Sequence, residues 1–132
     1  MECPACKVPM VALELDQVEV DYCTECSGIW LDAGELELLL DGAENRDRLM
    51  ASLVADKTIA EARRRCPICD RKMEKVRVGE KTENRDVIID RCKRNDGVWL
   101  DKGELHRVLR MGNVSDENPV QKLLVDMFGS RR

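Results

Sequence analysis

The stretch Cys23-Thr24-Glu25-Cys26-Ser27-Gly28-Ile29-Trp30-Leu31-Asp32-Ala33-Gly34-Glu35-Leu36 returns 69 residues later as Cys92-Lys93-Arg94-Asn95-Asp96-Gly97-Val98-Trp99-Leu100-Asp101-Lys102-Gly103-Glu104-Leu105. A cysteine pair precedes each copy, Cys3-Pro4-Ala5-Cys6 and Cys66-Pro67-Ile68-Cys69. The 132-residue chain therefore uses one device twice: two cysteine knuckles, then a short strand and a helix start. Each copy is near the size, about 40 residues, at which an apolar core alone seldom holds a fold, so a staple is expected.

Working outward from the repeat, residues 7–22 carry Val8, Met10, Val11, Leu13, Leu15, Val18, Val20 and Tyr22, with strict alternation from Val18 to Tyr22. That pattern predicts a β-hairpin turning near Asp16-Gln17. The second copy matches it with Met73, Val76 and Val78 on one arm and Val87, Ile88 and Ile89 on the other, and a polar loop from Gly79 to Asp86 absorbs its six extra residues. Past the strand, Asp32 with Glu35 and Asp101 with Glu104 have capping-box spacing. Leu36, Leu39 and Leu40 then share a helical face, as do Leu105, Val108 and Leu109. Gly42 and Gly112 stand where a helix end wants positive φ.

Residues 44–65 lack Gly and Pro and are rich in Ala, Leu, Arg and Glu. They predict one connecting helix presenting Leu49, Leu53 and Ile59 and ending at Arg63-Arg64-Arg65, whose charges suit a helix C-terminus. At the far end, Ser115 or Asp116 precedes Pro119, and Val120, Leu123, Leu124, Met127 and Phe128 form an apolar stripe before Gly129 and a short basic tail. The expected architecture is a small, metal-stabilised α+β fold of two tandem zinc ribbons, each a hairpin with a third strand and capping helix. The segments are 1–43 for the first ribbon, 44–65 for the helical linker, 66–112 for the second ribbon and 113–132 for the C-terminal helix and tail.

The metal reading follows from ligand spacing. Cys-x-x-Cys twice, with 16 residues between the pairs in the first copy, is the spacing at which a hairpin brings two knuckles around a tetrahedral ion. A redox Cys-x-x-Cys belongs at the start of a helix after a strand, a pattern this chain lacks. Four thiolates in a small hairpin favour zinc over iron. The second copy keeps Cys66, Cys69 and Cys92 but has Asn95 in the fourth place, and a neutral amide is a poor zinc ligand. Two replacements are near: Asp96, which requires a shift of the knuckle register, and His106, the single histidine, which must reach back from the helix. The plain alternative makes Asp96 a turn residue and His106 a helix-flank residue. Trp30 and Trp99 are assigned to core packing between hairpin and helix rather than to ligand stacking.

Charge divides the chain. The net formal charge is −4, but residues 1–44 hold a single base, Lys7, against 11 acids, and the rest is net +6. The first half cannot grip phosphates, and only Arg63 to Arg65, Arg71, Lys72, Lys75 and Arg77 offer a basic patch. No run approaches the roughly 20 apolar residues of a membrane span. Seven cysteines, an odd number, with no apolar leader point to reduced thiolates and a cytoplasmic setting.

The motif Cys-Pro-x-Cys followed by Cys-x-x-Cys-x-Gly-Ile-Trp-Leu-Asp-x-Gly-Glu-Leu resembles the transcription factor IIB-type zinc-ribbon family of small prokaryotic proteins, over residues 3–40 and, with one ligand missing, 66–109. The resemblance implies a zinc ribbon with Cys3, Cys6, Cys23 and Cys26 as ligands. It does not imply transcription initiation, since the cyclin-like repeats of the full factor are absent. The expected role is non-catalytic: a zinc-stabilised module for protein–protein interaction or regulation, with a homodimer through the C-terminal helix as one arrangement. Nucleic-acid binding by the basic half and metal handling at the incomplete site are the alternatives, and no catalytic constellation is recognised.

Overall fold

The computed structural model describes residues 1–79, 87–115 and 117–128. Among these residues seven strands lie in one sheet: β1 (Val11–Leu15), β2 (Val18–Tyr22), β3 (Ile29–Asp32), β4 (Val54–Ala55), β5 (Glu74–Val78), β6 (Val87–Arg91) and β7 (Gly97–Leu100). Their order is β1-β2-β3-β7-β6-β5-β4, with every neighbouring pair antiparallel. Five-residue arms meet across Asp16 and Gln17, both at positive φ (49° and 74°), the turn geometry that matches strand twist. The helices among the described residues are α1 (Glu35–Leu39), α2 (Arg46–Ala51), α3 (Glu104–Met111) and α4 (Pro119–Phe128). The polar loop expected in the second hairpin lies, from residue 80 to 86, outside the described residues, as do Asp116 and the basic tail.

The two copies are not separate ribbons, because β3 of one pairs with β7 of the other, Trp30 directly opposite Trp99. Ile29 opposes Leu100 and Leu31 opposes Val98, so the pairing is symmetric under exchange of the copies. Strand alternation then sorts the sheet into two faces. On one face Leu15, Val20, Ile29, Leu31, Val76, Val78, Ile89 and Leu100 are buried against Leu36, Leu39, Leu40, Leu105, Val108 and Leu109 of the helical layer. The other face holds Trp30 and Trp99, both fully buried, in a second cluster with Cys3, Cys23, Cys66, Met73 and Cys92. The tryptophans therefore pack between the cysteine knuckles, not between hairpin and helix as expected. Their mutual placement depends on glycine: a Cβ on Gly28 would run into the Trp99 ring, and one on Gly97 would lie 2.7 Å from Trp30 Cζ2. Each indole thus sits over the other copy's glycine.

Four local expectations need correction. The 44–65 linker is helical only over Arg46–Ala51, after which β4 pairs with β5 and residues 56–65 form no helix. Propensity is a weak prior, and ion pairs tie this segment to the second half: Asp56 to Arg77 at 2.8 Å and Glu61 to Lys75 at 3.4 Å on β5, and Arg64 to Asp101, just past β7, at 3.8 Å. The capping boxes are half made. Glu35 and Glu104 accept the backbone N–H of Asp32 and Asp101 at 2.7 and 2.8 Å, but Asp32 and Asp101 instead accept the buried indole N–H of Trp30 and Trp99, at 2.9 and 3.0 Å. A buried indole N–H needs an acceptor more than a partly solvated helix end does. The left-handed residue after α3 is Asn113 (φ 67°), not Gly112, although Gly42 has φ 81° as expected. Finally, α4 is capped by Asn118, whose side chain accepts Val120 N–H at 2.8 Å, not by Ser115. Val120 and Leu124 of its stripe are buried in the chain's own core, so part of the surface assigned to a homodimer is used internally; the side chains of Met127 and Phe128 lie outside the described residues.

Candidate metal centres

Three of the four knuckles share one construction. In Cys3–Lys7, Cys23–Ser27 and Cys66–Asp70 the fifth residue takes positive φ (65°, 66° and 61°) and its N–H donates to the first cysteine's carbonyl at 2.9, 2.9 and 2.8 Å. This tight turn points inner N–H groups at sulfur: Ala5 and Cys6 donate to Cys3 Sγ at 3.3 Å, and Ile68 to Cys66 Sγ at 3.4 Å. Such bonds favour the thiolate.

The hairpin β1–β2 then brings Cys3, Cys6, Cys23 and Cys26 together, with all four sulfurs within 4.8 Å of one another and Cys3 to Cys26 at 3.7 Å. A tetrahedral ion with Zn–S bonds of about 2.3 Å separates its sulfurs by about 3.8 Å, whereas a disulfide requires about 2.05 Å. The donors fit zinc.

The second centre joins Cys66, Cys69 and Cys92 with Asp96, again within 4.8 Å. Cys69 and Cys92 sulfurs are 3.7 Å apart, and Asp96 Oδ2 lies 3.6 Å from Cys66 Sγ and 3.4 Å from Cys92 Sγ. With a Zn–O bond of about 2.0 Å, a mixed sulfur–oxygen edge of a tetrahedron is about 3.5 Å. Asp96 reaches this place because its knuckle closes one residue early: Asn95, at φ 64°, donates its N–H to Cys92 O at 3.1 Å, a three-residue closure where the other knuckles close over four. Both knuckles still end alike, with Cys23 N–H to Gly28 O and Cys92 N–H to Gly97 O at 3.0 Å. His106, the other candidate, stands elsewhere, its Nδ1 2.9 Å from Gln121 Oε1, where α3 meets α4.

Burial acts against ionisation at Cys26 and Cys66. Burial, helped by Cys92 and Cys69 and opposed by the N–H groups of Cys69 and Ile68, pushes the Cys66 thiol up to about 12. Burial likewise raises Cys26, with Cys23, Cys3 and Cys6 adding to it. In Cys23 burial also acts upward, yet the N–H groups of Cys26 and Glu25 bring it below its ordinary value. A bound divalent ion favours the thiolate form of its ligands. The two centres are neighbours, since their first knuckles face each other across a cleft lined by Pro4, Lys7, Arg65 and Pro67.

Two knuckle-borne sets of four donors on antiparallel hairpins define a zinc-ribbon metalloprotein that binds Zn2+. The chain matches the model of the transcription factor zinc-finger family, the TFIIB-type zinc ribbon, over residues 2–42 and 65–111, more than half its length, and belongs to that family. Comparison with curated proteins and with solved structures found no match to either. Among the described residues, no helix is long and apolar enough to cross a membrane.

Proposed function

We propose that the chain is a non-catalytic interaction module in which two structural zinc ions fix one rigid sheet for docking to a protein partner in a reducing compartment, the cytoplasm. The observation that carries this is closure: each donor set offers four ligands, with Asp96 filling the place left by Asn95, so no coordination position is kept for substrate or for metal exchange. The nucleic-acid reading loses much of its patch. Lys75 is buried in an ion pair with Asp90 at 3.0 Å, Arg77 pairs with Asp56, Arg64 faces Asp101, and Arg65 donates to Asp70 O at 2.9 Å.

Native mass spectrometry tests the metal part: two zinc ions per chain are expected, with the second released earlier by a chelator in Asp96→Ala but not in His106→Ala. Affinity purification of the zinc-loaded chain from its own cells, with nuclease treatment, tests the role. A protein retained in stoichiometric amount supports it, and retention that vanishes with nuclease, or no retention, overturns it.

A further inference from the structure

The two halves treat equivalent sheet edges differently. In the second half the outer edge of β5 is covered: Val54 and Ala55 pair with Arg77 and Val76, and Asp56 N–H donates to Lys75 O at 3.0 Å. Hairpin register makes Ala12, Leu13 and Glu14 the counterparts of Lys75, Val76 and Arg77, since Val11 opposes Tyr22 as Glu74 opposes Arg91. β1 is the terminal strand of the sheet, and among the described residues nothing pairs with its outer edge. Val11 is 47% exposed, Ala12 and Glu14 are exposed, and Leu13 is half-buried, whereas Val76 is fully buried.

We propose that the outer edge of β1 is a docking site for an extended, lysine- or arginine-bearing segment of a partner protein, added antiparallel as an eighth strand. The inference deepens the interaction reading above and rests on it. Backbone geometry supplies the ladder: Leu15 and Val18 flank a two-residue turn and face each other, so the N–H and C=O groups of Ala12 and Glu14 point outward. Such an edge templates strand addition. The chain's own segment on β5 shows the geometry of an occupant, and the charges show its chemistry. That segment sets Asp56 against Arg77 and Glu61 against Lys75. On β1 the signs are reversed: Glu14 stands where Arg77 does, Ala12 leaves no base opposite Asp21, and Glu19 lies beside them on the same face. The segment that fits must therefore carry bases where residues 56–61 carry acids. A second copy pairing β1 with β1 would set Glu14 and Glu19 against their like, on halves with 11 acids and one base each.

The test uses the zinc-loaded full chain with a short peptide of alternating valine and arginine, a valine–glutamate peptide, and calorimetry with amide NMR. Binding of the basic peptide alone, with shifts centred on Ala12–Leu15 and weakening with salt, is the expected result. Glu14→Lys should lower affinity about tenfold. Ala12→Pro should abolish binding while the fold persists, because it removes an outward N–H from an edge strand. Equal binding of both peptides, shifts elsewhere, or self-association through β1 in sedimentation overturns the inference. If the peptides fail while a cellular protein is still retained stoichiometrically, the docking edge is wrong and the interaction reading stands.

Discussion

The first half offers an ion four cysteines and, among the described residues, leaves its outer strand unpaired, and the second offers three cysteines and an aspartate and closes the equivalent strand with its own chain. A row across one face of the sheet makes the contrast residue by residue: Lys75, Asp90, Trp99, Trp30, Asp21 and Ala12 oppose one another in turn. Its centre is symmetric and its ends are not. The parts that join the halves match, Trp30 with Trp99 and Leu31 with Leu100, Ile29 differing from Val98 by one methylene, while ligand and edge, which concern each half alone, differ. Symmetry is thus held where a change would be felt by both copies.

The largest test of that comparison is metal removal. Structural zinc contributes on the order of 10 kcal/mol or more to small folds, and β3–β7 pairing makes the sheet continuous, so stripping zinc from the reduced chain should collapse amide dispersion in both halves in one transition. Survival of either half alone would show that the halves are independent.

Lys75→Ala gives the second half the end residue of the first. It leaves Asp90, with a side chain 2% exposed, without its ammonium partner, and breaking such a buried pair costs about 3–5 kcal/mol. The reverse change, Ala12→Lys, adds an exposed base opposite Asp21 and should stay within about 0.5 kcal/mol. Urea unfolding of the zinc-loaded variants measures both, and equal effects would erase the distinction between the ends.

Gly28→Ala probes the shared centre, where the new methyl meets the Trp99 ring. Overpacking of about 1–3 kcal/mol is expected, with a red shift of indole emission. An unchanged emission spectrum and stability would remove the crossed packing.

The smallest expected effect is a pH dependence. Burial, with Asp101 and Asp90 adding to it, raises Glu104 to about 8, against the opposing pull of its bond to Asp101 N–H and of Arg107. Glu35 is raised too, chiefly by burial. A folded-state pKa above the unfolded value means the native state keeps a proton that the unfolded chain has lost. This stabilising contribution is complete below about 4.5 and falls away as pH rises through about 8. Melting of the zinc-loaded chain should therefore drop by a few degrees between pH 6 and 8.5, and Glu104→Gln should flatten the curve more than Glu35→Gln does. Identical curves for all three chains would count against the difference.

Cysteine spacing and period-two alternation made both hairpins and seven ligand candidates legible in the sequence, because knuckles and hairpins are local. The choice between Asp96 and His106 was not local: it turned on which residue of Asn95-Asp96 took positive φ, and both types tolerate it. The junction of the halves was hidden for another reason. Nothing near Gly28 or Gly97 in the sequence marks them as seats for indoles until β3 is set beside β7, and that pairing spans 69 residues between Trp30 and Trp99. Residues 56–65 deceived because their helical composition is outweighed by ion pairs to β5 and by Arg64 to Asp101, contacts that exist only once the second hairpin has formed.

The Trp30–Trp99 pairing carries an evolutionary consequence. Because Ile29 meets Leu100 and Leu31 meets Val98, the seam has the self-complementary form of a twofold interface between identical subunits. A half-length ancestor with one ribbon and one Gly-x-Trp would have the surface to pair with its twin, each indole resting on the other's glycine. Joining two such units head to tail would keep that seam. Within one chain the two copies need not be alike, and here the second sets Asp96 among its cysteines while the segment that joins the copies supplies β4.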